Sequence, residues 1–333
     1  RLLIRANAGN DHRLGANEAP PAILSIFLGE MLTDIFEQIE KGSAKRTKQG
    51  GTLDVGVSVL PKLPRDAGDR NRTSPFAFTG NKFEFRAVSS SQNIAWPNIV
   101  LNVAVAEALD HMATELEKAV TGGEELSKAV ARLVTRLAKE HKRIVFNGNG
   151  YSDEWQKEAG KRGLLNLRNT VDALPEMVKP EVVRMFEKHR VLSERELHAR
   201  YEINFETYCK TVNVEAQLMV LMANRYILPA ALQYQKQIAE SVSAVARAGA
   251  SSRQGKKLLA TFTKLVDGLK TQTDVLADLL EHTNTSTEKH ARHMRDQVIP
   301  GMSRLRDLGD QIELLTPHEL WPLPTYREML FIK

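Results

Sequence analysis

The sequence predicts an α+β fold in which a small sheet near the N-terminus leads into a long, mainly α-helical C-terminal region. Three observations carry this reading. Period-two alternation is confined to the first third, at residues 53–59 and 82–86. Apolar residues at helical spacing dominate from Trp96 onward. Glycine and proline fall mostly between the periodic stretches, at Gly122-Gly123, Asn147-Gly148-Asn149-Gly150, Pro300-Gly301 and Pro317.

Taken in order, Pro20 and Pro21 open a helix expected to run to about residue 40. Ile23, Ile26, Phe27, Met31, Ile35 and Ile39 recur at its spacing, and proline suits a first turn because its missing N–H has no partner there anyway. Leu53, Val55, Val57 and Val59 alternate with Asp54, Gly56 and Ser58 as in a half-buried strand. A second strand is expected at residues 82–86. Lys82, Glu84 and Arg86 share one of its faces, and Phe83 and Phe85 share the other, with both rings buried. Helices follow at residues 98–120 and 124–142. Asn147 to Gly150 reads as a tight turn, and Ser152 as the N-cap of a helix carrying Trp155, with the turn and the tryptophan both structural. Ser193 and Glu196 have capping-box spacing and start a long helix that Pro229 is expected to bend or interrupt. Further helices are expected at residues 258–281, 288–298 and 302–315, separated or ended by Pro300-Gly301 and Pro317. Residues 238–250 have the weak amphipathicity of an antiparallel helical bundle.

With 333 residues, 42% hydrophobic and 26% charged, the chain can bury a large core, and its length allows two domains. The net charge of +5 is spread among acidic residues along the helices, which argues against a nucleic-acid partner. A single cysteine, Cys209, excludes an intrachain disulfide framework and a multi-cysteine metal site. It reads as a small buried hydrophobe, and the usage fits a reducing, cytoplasmic location. No apolar run reaches the roughly 18 residues of a membrane span, and the first residues have no signal-peptide pattern.

Two charged segments carry chemistry: GNDHRLGANEAP at residues 9–20 and NRTSPFAFTGNKFEFR at residues 71–86. Taken alone, a Lys-x-Glu-x-Arg strand is more often a solvated sheet edge with ion pairs. Arg13 beside Asp11 can be half of a surface salt bridge, His12 can orient the loop or touch substrate, and Glu18 can be a carboxylate favoured at a helix start. The two segments together resemble glutamine synthetases. The first is similar to their Arg-Leu…Glu-Ala-Pro loop, and the second to their Asn-Arg-Ser/Thr segment and Glu-x-Arg strand. The wording is that of the type III enzymes, and it continues through FNGNGYSDEWQKEA at residues 146–159.

The resemblance implies ATP-dependent amidation of glutamate by ammonium through a γ-glutamyl phosphate, with Mg2+ or Mn2+ as cofactor. It gives Arg13 the glutamate α-carboxylate, Arg72 the transferred phosphoryl group, Arg86 the acyl phosphate end of the substrate, and Lys82 a nucleotide phosphate. Glu84 becomes a metal ligand, and Glu18 a flap carboxylate that binds and deprotonates ammonium. It also implies two domains, the C-terminal part of a catalytic domain with a remnant of its antiparallel sheet at residues 1–121 and a type III helical region at residues 122–333, and a homo-oligomer with active sites shared between subunits. Three departures stand out: Ala77 replaces a second arginine of the type I pattern, the Arg-Leu loop is one residue shorter than in type I, and Ser89 stands where type III sequences usually have glycine. The chain begins at Arg1-Leu2-Leu3-Ile4-Arg5 as if inside a domain. It is therefore expected to be a C-terminal fragment without the N-terminal domain and early metal strand of the family, and inactive alone. The rival readings are a related γ-glutamyl amine ligase and a non-catalytic helical assembly module retaining part of the site.

Overall fold

A computed structural model of the chain describes residue 11 and residues 22–42, 52–53, 63–64, 74–86, 93–282 and 286–331, with backbone alone at 52–53, 63–64 and 326–327. The fold is α+β and mainly helical. It divides at Asn204 and Phe205 into two compact units.

In the first unit, β1 (Ile26–Phe27) precedes α1 (Gly29–Glu40). The helix expected from Pro20 therefore begins later. Ile26 and Phe27 meet their backbone needs by pairing with a strand instead, and Gly29 turns the chain with φ at +74°, a conformation that costs glycine little. Next come the short antiparallel pair β2 (Thr52–Leu53) and β3 (Leu63–Pro64), so residues 54–59 of the first expected strand lie outside the described residues. The hairpin of β4 (Phe76–Phe78) and β5 (Phe83–Phe85) is antiparallel as expected, while β1 joins β4 in parallel, giving the sheet order β1-β4-β5.

Two long helices, α2 (Ala95–Thr121) and α3 (Leu126–His141), turn at Gly122-Gly123. The reversal is pinned by Arg136 Nη2, 2.8 Å from Glu115 Oε2. The chain then returns to the sheet, where Phe146 N donates to Ile26 O at 3.0 Å. Helix α4 (Asp153–Lys161) is capped as its sequence predicts, with Ser152 Oγ accepting from Trp155 N at 3.2 Å. Trp155 is buried with Ile23, Ala159 and Leu164, and its ring stacks on Phe146. Sequence periodicity does not reveal α5 (Thr170–Ala173) or α6 (Pro180–Lys188), which are too short to repeat an apolar stripe. Helix α7 (Glu194–Met222) opens with the expected capping box: Ser193 N donates to Glu196 Oε2 at 2.8 Å, and Glu196 N to Ser193 Oγ at 3.3 Å.

The second unit continues through α8 (Leu228–Arg247), α9 (Arg253–Leu280), α10 (Thr287–His293), α11 (Ile299–Glu313) and α12 (Tyr326–Leu330). Pro300 does not separate helices as expected. It follows a π-helical turn at Met294–Val298, as Pro229 follows one at Ala223–Ile227, so each helix carries on through its proline. The wider turn makes room for a ring that would otherwise strike the carbonyl four residues back. Along α9, Phe262, Val266, Leu269, Thr273 and Leu276 form one buried stripe facing α8 and α11. Gly301 allows α11 to come close, because a Cβ there would lie 3.3 Å from Leu276. No helix among the described residues is long and apolar enough to cross a membrane.

Candidate functional site

The charged row of the Lys-x-Glu-x-Arg strand is intact on β5. Its hairpin is closed by Thr79 N donating to Lys82 O at 2.8 Å and Arg86 N donating to Pro75 O at 2.9 Å, around a turn where Gly80 has φ at +101°. These bonds fix which face Lys82, Glu84 and Arg86 share. Arg86 grips one oxygen of Glu84 through Nε at 3.2 Å and Nη2 at 3.1 Å. Lys82 Nζ lies 3.5 Å from the other oxygen. The Arg86 side chain is 17% exposed and that of Lys82 is 66% exposed, so the guanidinium is held in place while the ammonium stays open to solvent. The Glu84 carboxyl is held below the usual carboxylate range, first by the hydrogen bond from Arg86 and further by the two positive charges. The two pairs to Glu84 run along one strand.

Both aromatic rings were expected to be buried on the opposite face. Instead, Phe85 is only partly buried and Phe83 is 47% exposed, although it packs 5.7 Å from Phe76 and 5.4 Å from Phe78 between ring centroids. A three-stranded sheet whose last strand is at the edge leaves both rings partly uncovered, Phe83 the more so. Ala77 is paired directly opposite Glu84 on β4 and is fully buried. A longer side chain there would emerge beside the carboxylate, so alanine leaves Glu84 to Lys82 and Arg86.

Of the other expected site residues, Arg13, Glu18 and Arg72 lie outside the described residues, as does His12. Asp11 is described: its Oδ1 accepts from Thr170 N at 2.8 Å and from Thr170 Oγ1 at 2.6 Å. Sequence reasoning missed Thr170 because nothing local marks a partner 159 positions away. Among the described residues, no group of three or more His, Cys, Asp or Glu side chains is placed to hold a metal ion. With both its oxygens next to cations, Glu84 offers at most one ligand, so the described residues do not by themselves make a metal site.

The second unit holds a separate open groove of about 540 Å³, lined by Glu206, Cys209, Lys210, His282 and His290 among others. Cys209 is buried, as its sequence context suggested. Its Sγ lies 3.9 Å from Thr287 O.

Residues 129–246 match a family model described as the glutamine synthetase C-terminal domain. The chain is 38% identical, over 99% of its own length and 46% of the relative's, to the type-3 glutamine synthetase of Dictyostelium discoideum. It is 35% identical to a glutamine synthetase of Bacteroides fragilis (strain YCH46), over 99% of the chain and 47% of the relative. A glutamine synthetase of Butyrivibrio fibrisolvens is 34% identical, over 98% of the chain and 47% of that protein. The chain thus spans about half the length of the relatives it matches.

Proposed function

Because this chain belongs to the glutamine synthetase family, we propose that it forms part of an ATP-dependent glutamate–ammonia ligase of type III, with β5 as one wall of the active site. A glutamate γ-carboxylate oxygen attacks the terminal phosphorus of ATP and ADP leaves. Ammonia then attacks the acyl carbon and inorganic phosphate leaves. Both steps gather negative charge on phosphoryl oxygens, where fixed cations stabilise it most. Arg86, held in place by Glu84, binds the acyl phosphate end, and the exposed Lys82 reaches a nucleotide phosphate. Arg13 takes the glutamate α-carboxylate, Arg72 the transferred phosphoryl group, and Glu18 receives ammonium and removes its proton. A divalent cation, magnesium or manganese, would draw one ligand from Glu84 and the rest from elsewhere, and it would neutralise phosphoryl charge.

The observation that carries this reading is the row of Lys82, Glu84 and Arg86, which pairs a restrained guanidinium with an open ammonium on one face. In this proposal residues 1–121 contribute the site and residues 122–333 form a helical region that supports it. The enzyme is a cytoplasmic homo-oligomer whose neighbouring subunits complete each other's sites.

The test compares phosphate and glutamine released by the full-length enzyme. Glu84→Ala is expected to lose both products. Glu18→Ala is expected to keep phosphate release better than glutamine release at low ammonium. Unchanged product formation by Glu84→Ala would remove β5 from the site, and an unchanged product ratio in Glu18→Ala would remove the flap carboxylate.

A further inference from the structure

The groove of the second unit lies between α7, the end of α9 and α10. Cys209 and Lys210 stand four and three residues before Asn213, so these side chains share one face of α7; His290 and Met294 share a face of α10 and the π turn after it. Cys209 and Met294 are buried, and a volume of about 540 Å³ suits a small molecule. His282 and His290, both on the lining, belong to a group of three imidazoles, since the His293 ring lies 4.6 Å from the first and 6.4 Å from the second. His290 Nδ1 is buried with no hydrogen-bond partner, while the residue as a whole is half-buried. A buried N–H without an acceptor is rarer than a buried lone pair without a donor, so the proton of the neutral ring sits on Nε2. His293 is already committed, with Nε2 donating to Leu279 O at 2.9 Å.

The carboxylates around these rings are committed or solvated. Glu206 pairs with Lys210 at 2.8 Å on α7, Glu288 with Arg292 at 2.8 Å on α10, and Asp296 with Arg295 at 2.6 Å on the π turn. Asp278 and Glu281 of α9 and Lys289 of α10 are exposed to solvent. No buried carboxylate therefore stands ready to balance a proton on His290, and burial followed by the charges of His293 and His282 holds its pKa below the ordinary value. Among the described residues no group of His, Cys, Asp and Glu is placed to hold a metal ion, so a cation is a poor occupant. The free hydrogen-bonding capacity consists of donors. Lys210 is 72% exposed in a solvated pair of the weak kind, and Asn213 accepts from Gln217 through its oxygen at 3.5 Å, which leaves its amide N–H groups to give.

We propose that this groove binds a small molecule through an oxyanion, a carboxylate or a phosphoryl group, with Lys210 and His290 Nε2–H as its donors, and that His290 takes up a proton as the anion enters. An anion beside an imidazole favours the charged ring, so binding and protonation strengthen each other. The groove belongs wholly to the second unit, and the proposal does not rest on the reading of β5.

The test is calorimetric titration of the full-length enzyme at pH 6 and pH 8 with sulfate, standing in for a phosphoryl group, and separately with lactate for a carboxylate. Both probes keep a fixed charge over that range. Two buffers of different ionisation enthalpy count the protons taken up. At least one probe is expected to bind about fivefold more tightly at pH 6 than at pH 8 and to bring part of a proton with it. Binding of sulfate alone assigns the groove to a phosphoryl group, and binding of lactate alone to a carboxylate. His290→Gln is expected to weaken binding about tenfold at pH 6, the scale of one lost hydrogen bond to a charged group, and to abolish the proton uptake. Lys210→Gln, a surface change that keeps the fold testable should His290→Gln fail to fold, is expected to weaken binding by a similar factor and leave the uptake in place. Anions held at β5 do not respond to either substitution. Heats unchanged by both variants, binding without proton uptake, or no heat from either probe would each overturn the proposal. A Zn2+ titration whose heat is lost in His290→Gln, with both anions unaffected, would overturn it in favour of a cation site.

Discussion

Asn147 caps a helix that begins 118 residues earlier: its Oδ1 accepts from Leu28 N at 2.9 Å and from Gly29 N at 3.2 Å. Its Nδ2 donates in turn to Thr33 Oγ1 at 2.7 Å. One amide therefore satisfies the start of α1 and ties it to the turn before α4. No residue next to α1 does this, since Leu28 has no side-chain oxygen to offer. Asn147→Ala leaves two N–H groups without this acceptor and is expected to destabilise the protein by about 1–2 kcal/mol. Equilibrium urea unfolding measures it, and a loss within experimental error would show that water replaces the amide freely.

Phe262 opens the α9 stripe, fully buried, with the Tyr234 ring edge-on at 5.1 Å between centroids. Truncation removes both the transfer free energy of the ring and its contacts, because the stripe beyond it is already filled by Val266 and Leu269. Phe262→Ala is expected to cost about 3–5 kcal/mol and Phe262→Leu clearly less. Thermal unfolding of the two variants checks the order. Equal losses would mean that the site collapses around the smaller side chain.

What could be read from the sequence follows the range of the interactions. Ser152, Ser193 and Glu196 were legible because a cap is made within three residues, and the stripe of α9 because it repeats along one helix. The start of α1 was misread because strand pairing with Phe76 and Ala77 outweighed helical spacing at Ile26 and Phe27. At the candidate site, the alternation of Lys82, Glu84 and Arg86 showed which side chains share a face. It did not show that Phe83 would stay half-exposed, since that depends on how many strands cover it. Asn147 and Thr170 act on residues far away in the chain, so no local pattern announces them. Pro229 was expected to bend or interrupt its helix and Pro300 to separate or end one, and the π turns that absorb them have no signature of their own.

Cys209 is buried and its Sγ lies 3.9 Å from Thr287 O. Burial pushes its thiol up to about 11. Since the thiolate is the reactive form, the folded chain at pH 8 holds only about a thousandth of Cys209 in that state, against about a tenth in an unfolded chain with the ordinary thiol value of 9.0. Labelling by a disulfide reagent is therefore expected to be about a hundredfold slower in the native protein than in urea. Comparable rates would show that the thiol is open and ordinary.

His290 provides the clearest pH dependence. Its Nδ1 is buried without a hydrogen-bond partner, and its ring lies 6.4 Å from that of His293, which is 4.6 Å from that of His282. His293 is itself committed, with Nε2 at 2.9 Å from Leu279 O. Glu206, Cys209 and Lys210 from α7 line the same groove, where Glu206 is already paired with Lys210 at 2.8 Å, and on α10 Glu288 is paired with Arg292 at 2.8 Å. Burial, and then the neighbouring histidines, lower the His290 pKa below its ordinary value of 6.5. The unfolded chain therefore binds a proton at a pH where the folded chain still resists it, so acidification favours unfolding. The stabilising difference is fully present above pH 6.5 and is lost as the pH falls through the lowered folded value. Carboxylates with shifted values do not confuse this window, because Glu84, Glu107, Asp110, Glu124, Glu196, Asp296 and Glu328 all move down from 3.8 or 4.5. Urea midpoints measured at several pH values below 7.5 should fall with pH in the wild type and fall less in His290→Gln. A slope unchanged by the substitution would assign the pH dependence to other groups.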